Sequence, residues 1–110
     1  MKTYKFRNEQ YRFNFKIHSG TREELVQLMK KKDLSEFKPR TTARMLYVES
    51  EQRIELFFVK SVASAGTVAH EALHAIHFIY ESIGQGLDYS DDEHMCYLHG
   101  WLVNKIYSNL

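Results

Sequence analysis

His70 and His74 stand four residues apart, with Glu71 directly after the first, in the run Thr67-Val-Ala-His70-Glu71-Ala-Leu-His74-Ala-Ile-His77. Each residue of an α-helix advances about 100° around the axis, so positions four apart share one face, a turn apart, and two imidazoles placed there can reach one ion. Imidazole nitrogen is a common ligand of Zn2+. Glu71 falls to the side of that face, where its carboxylate can hold the water that the ion polarises without taking a coordination position. These residue types at this spacing suit zinc-assisted hydrolysis better than metal storage.

A catalytic zinc site normally has three protein ligands and one position left for water. His77 lies three residues past His74 on the same stripe, but about 4.5 Å further along the axis, and a straight helix seldom offers three ligands to one ion. It is expected to line the cleft or orient a substrate. Glu93 follows His74 by 19 residues across a short turn. A final helix folding back against the metal helix would let its carboxylate complete a His2Glu set. Ser90-x-x-Glu93 also reads as a capping box, in which the glutamate only serves the helix start. Ligand and cap both stand at this point, with Asp92 and His94 as fallback ligands.

These side chains need elements to position them. Ala69, Ala72, Leu73, Ile76, Tyr80 and Ile83 recur at three- and four-residue steps and predict the core-facing stripe of a helix over 67–83; His70, His74, His77 and Glu81 form a separate polar stripe lining a cleft. Gly84 and Gly86 end that helix. A last helix over about 90–107 turns Met95, Leu98, Trp101, Leu102 and Ile106 inward. Upstream, Tyr11, Phe13, Phe15 and Ile17 alternate with Arg12, Asn14, Lys16 and His18, the two-residue period of a strand with one buried face. Residues 3–7 are expected to pair with it. Thr21 and Glu24 make a capping box for a helix over 22–32, and residues 43–49 and 53–60 read as a hairpin around Ser50-Glu-Gln. The order ββ-α-ββ-α-α predicts an α+β fold: one domain over 1–110, with a small twisted sheet containing antiparallel pairs packed on helices, and an antiparallel C-terminal helix after the metal helix.

The 110 residues carry a net charge of +1, and that near-neutrality hides an asymmetry. Residues 1–50 hold 12 Lys/Arg and 6 Asp/Glu, whereas 51–110 hold 3 and 8, so the halves are +6 and −5. The cations alternate with core positions instead of clustering in a recognition motif, and Lys30-Lys31-Lys32 suits the C-terminal end of a helix dipole. No nucleic-acid partner is expected. No apolar run approaches the roughly 18 residues of a membrane span, and the N-terminus has no continuous apolar segment. A cytoplasmic location is therefore expected, with Cys96 as a single buried thiol outside the metal motif.

The pattern His70-Glu71-x-x-His74 with Glu93-x-x-x-Tyr97 and Gly100-Trp101 resembles the gluzincin branch of zincin metallopeptidases, especially the very small zincin-like proteins encoded by bacteriophages. The resemblance covers about residues 67–107; residues 1–60 match only in general layout. It implies Zn2+ held by His70, His74 and Glu93, with Glu71 as general base, and, for a phage protein, the host cytoplasm as its location. Tyr97, one turn after Glu93, is expected either to hydrogen-bond a ligand from outside the coordination shell or to be a buried aromatic. Large gluzincins continue into a second subdomain that supplies substrate pockets, whereas this chain stops at Leu110, so weak substrate affinity is expected.

The leading expectation is a minimal zinc metallopeptidase in which Glu71 accepts the proton of water and passes it to the leaving amine. An extended peptide would lie beside residues 53–60 if that strand is a free edge. A second expectation is a phage-type binding protein, catalytically weak or inactive, that acts on a host protein through its basic N-terminal half. A third is a purely structural zinc clamping the last two helices.

Overall fold

The computed structural model describes residues 1–32, 37–86, 88 and 90–110. β1 (Lys2–Asn8) and β2 (Phe13–Gly20) form the expected antiparallel hairpin. The two-residue period puts Phe13, Phe15 and Ile17 on one face, where all three are buried. α1 (Arg22–Lys31) starts at the predicted capping box: the Glu24 amide donates to Thr21 Oγ1 at 3.2 Å and the Thr21 amide to Glu24 Oε1 at 3.0 Å. β3 (Ala43–Val48) and β4 (Arg53–Val59) pair antiparallel across a short 3-10 turn, Glu49–Glu51, as the hairpin reading requires.

The strand order is β1-β2-β4-β3, with β4 parallel to β2, so the sheet is mixed. β4 is therefore interior, paired on both sides and buried from Ile54 to Val59. This overturns the expectation that residues 53–60 offer a free edge; the edges are β1 and β3.

α2 (Ala65–Ser82) begins two residues before the expected start because the Ser64 side chain caps it, accepting from the Thr67 amide at 3.2 Å. It terminates before Gly84, whose φ of +71° is the left-handed conformation that glycine adopts without strain. α3 (Glu93–Tyr107) lacks the expected cap. Ser90 donates through its amide and hydroxyl to Asp88 Oδ1, at 3.0 and 2.7 Å, and no side chain caps the helix at Asp92.

α2 and α3 cover one sheet face: Val68, Ala72, Ile76, Ile79, Leu98, Leu102 and Ile106 pack on Phe13, Phe15, Ile17, Ile54, Leu56 and Phe58. α1 covers part of the other face, where Leu25 and Met29 meet Phe37, Phe57 and Val59. The architecture is thus α+β, as the element order predicts. Leu73 and Ile83 do not point inward; they are 37% and 42% exposed. The inward arc of α2 centres on Ala72, Leu73 lies about 100° round from it, and Ile83 follows the last helical residue. Cys96 is exposed rather than buried, since it lies about 160° round α3 from the inward Leu98. Among the described residues no helix is long and apolar enough to cross a membrane.

Candidate metal centre

The apolar stripe of α2 anchors its inner side in the core and leaves His70, His74 and His77 on the exposed side. The Nε2 atoms of His70 and His74 lie 3.1 Å apart, with the rings edge to face at 79° and their centroids 4.7 Å apart. At that spacing one ring N–H donates to the other ring's lone pair. It is also nearly the spacing of two nitrogens on one tetrahedral ion, since Zn–N bonds of about 2.0–2.1 Å put such atoms about 3.3 Å apart. The two imidazoles fit a shared Zn2+ with an adjustment of a few tenths of an ångström.

Glu71 sits where the polar stripe meets the core and is only 9% exposed. Desolvation pushes its carboxyl above the ordinary value, and the neighbouring His70 and His74 only partly oppose that shift. His70 and Glu71 open onto a shallow cleft of about 530 Å3 that they share with Arg40, Thr41, Thr42 and Gly66. The cleft lies between the first turn of α2 and the approach to edge strand β3. Arg22 holds that approach in place, its guanidinium donating to the carbonyls of Lys38 and Thr41. Sequence reasoning did not single out Arg40, Thr41 and Thr42, because nothing in their spacing to His70 signals that the sheet edge meets the helix there.

The other candidate residues are spread out. Among the described residues no three His, Cys, Asp or Glu side chains gather into a group able to hold a metal ion. Glu93 is exposed and opens α3. Its neighbours Asp92 and His94 line a cavity with Tyr80, Gln85 and Gly86, at the end of α2 beyond His74. The structure thus brings together His70, His74 and Glu71 but does not bring Glu93, Asp92 or His94 to them. His77 lines a shallow hollow with Glu81 and Gly84, one turn past the pair. Tyr97 is 75% exposed, so it is not a buried aromatic. The residue of α3 that meets the His70 turn is His99, whose Nε2 lies 3.1 Å from the Ala69 carbonyl oxygen.

Comparison with family models, curated proteins and solved structures gives no match.

Proposed function

We propose that this chain is a zinc-dependent hydrolase of peptide bonds, a minimal metallopeptidase of the zincin type. The observation that carries the reading is the convergence of His70 and His74 Nε2 at 3.1 Å beside Glu71, a desolvated carboxylate that opens on the same cleft as His70. His70 and His74 would hold the ion; Glu93, the third ligand that the resemblance implies, opens α3 away from the pair and would have to be brought to it, since among the described residues no third such side chain joins them. Zn2+ held there would supply a Lewis acid able to make water acidic enough to attack near neutral pH.

Glu71 takes the proton from the attacking water. Its carboxylate stands beside the pair and opens on the same cleft as His70, the position a general base for that water needs. The same carboxyl then donates that proton to the amide nitrogen as the C–N bond breaks, leaving an amine and a new carboxylate. Substrate position would come from β3, which begins at the cleft with Ala43 and whose outer edge, among the described residues, pairs with no further strand and can take an extended peptide through main-chain hydrogen bonds.

Metal analysis of the purified chain tests the reading. One zinc per chain is expected in the wild type and none after His70→Ala combined with His74→Ala. Glu93→Ala should also lose zinc; full stoichiometry in that variant would reject Glu93 as the third ligand. An unchanged metal content in the double histidine variant would reject the centre itself.

A further inference from the structure

Strand alternation places Thr3, Lys5 and Arg7 of β1 on the sheet face turned away from α2 and α3. They lie in register beside His18, Lys16 and Asn14 of β2, and these beside Phe57, Glu55 and Arg53 of β4. α1 covers the part of this face that carries Phe57 and Val59. The remainder is an open cavity of about 390 Å3 lined by Lys5, Arg7, Asn14, Lys16 and Arg53. Glu55, the carboxylate on this part of the face, is 1% exposed and already bound by His18 at 2.8 Å, Lys32 at 3.1 Å and Arg53 at 3.2 Å. Arg7 pairs with Glu9 at the surface, and Arg53 with Glu51. Lys5 and Lys16 have no ion pair among the described residues. Burial and the nearby Arg53, Lys32 and Lys5 hold the Lys16 ammonium below its ordinary pKa against the pull of Glu55.

We propose that this cationic face, with the free edge of β1 beside it, binds an extended acidic segment of a partner protein. An edge strand offers unpaired main-chain groups that an incoming strand can satisfy. Lys5 and Arg7 stand about 6.8 Å apart, which is also the repeat of same-face side chains on an incoming strand, so carboxylates at alternate positions would fall opposite them. On its other face the same strand would lie beside Tyr4 and Phe6, which pack against the helical core. The ligand is therefore a segment alternating acidic and apolar residues. A nucleic acid strand could meet the cations but would need exposed rings for its bases. The rings lining this cavity, Phe6 and Phe15, stack on each other at 4.9 Å and meet Trp101 edge-on. A second copy of β1 would set Lys5 and Arg7 against like charges. The inference is independent of the metal centre.

The test titrates the full chain with a labelled peptide that alternates glutamate and valine over the length of β1, read by fluorescence anisotropy. Saturable binding is expected, weaker at high salt and at least tenfold weaker when Lys5→Glu and Arg7→Glu are combined. Methylating alternate peptide amides, which keeps every charge but removes main-chain donors, should weaken binding at least tenfold in one of the two registers. If the double reversal does not fold, Lys5→Gln with Lys16→Gln serves the same purpose. No binding, or equal binding by the charge-altered chain or by both methylated peptides, would overturn the proposal. So would tighter binding of an oligothymidylate than of the peptide.

Discussion

Glu55 and Glu71 are both buried, and each lies next to histidine, yet their surroundings drive them in opposite directions. Burial alone would raise both. At Glu55 that penalty is outweighed by hydrogen bonds from His18 and Lys32 and by the charge of Lys32, and its carboxyl falls from an ordinary 4.5 to about 2. At Glu71 desolvation prevails over the attraction of His70 and His74. The first is a charge whose partners all come from the fold: His18 from β2, Lys32 from the end of α1, Arg53 from its own strand. The second is a charge at the rim of a cleft, incompletely compensated by its two histidine neighbours. Burial of an acid beside histidine therefore does not fix the direction of its shift; the number of partners does.

The contrast breaks most sharply at Glu71. Glu71→Gln keeps the shape and removes the proposed base, so on that reading peptide hydrolysis should fall about 10²–10⁴-fold with zinc content unchanged, as read by turnover and metal analysis on one preparation. Full activity would end the distinction between the two glutamates. Next in size is Glu55→Ala, which strands His18 and Arg53 without their shared partner and should destabilise the fold by about 3 kcal/mol in urea titration, with its metal content unaltered. Lys32→Met removes a partner that is still 26% exposed, and a loss of about 1 kcal/mol is expected.

Acid should separate the two sites as well. Because the Glu55 carboxyl is held near 2 in the fold and returns to about 4.5 when unfolded, the unfolded chain binds more protons between those values. The stability contributed by Glu55 is complete above about pH 4.5 and is lost as pH falls toward 2. Glu24, held near 2 chiefly by its hydrogen bond with the Met1 ammonium, titrates in the same window. The difference between wild type and Glu55→Gln isolates the Glu55 share, and parallel stability curves for the two would refute its compensated state. The smallest effect is expected in the metal-free protein, where Glu71→Gln should slightly raise the thermal midpoint by replacing an under-compensated buried charge with a neutral amide. A fall in that midpoint would show that Glu71 is as well partnered as Glu55.

Local pattern made much of the molecule legible. The alternation from Phe13 to Ile17, the Thr21–Glu24 box and the glycine after Ile83 all act over a few residues and appear where their spacing predicts, whereas Tyr11 and Arg12 lie in the turn before β2. Cys96 and Leu73 face outward against the expectation because the centre of a helix's inward arc is set by what it packs against, and Ile83 does so because α2 ends before it. The cap expected at Ser90 failed for a nearer reason: Asp88 binds the Ser90 hydroxyl before it can cap α3. His18 read as the polar side of a strand; it is 3% exposed because α1 folds over that face and Glu55 lies within 2.8 Å.

By itself the sequence determined the elements, their order, and the one-turn spacing of His70 and His74, since helical and strand periods and end-capping are local properties of backbone and side chain. Only the tertiary structure decided that β4 lies between β2 and β3, that the approach to the β3 edge meets α2, and which buried glutamate has its charge answered. Those depend on contacts between residues far apart in the chain, such as His18 with Glu55 and Ala69 with His99, and no short-range pattern encodes them.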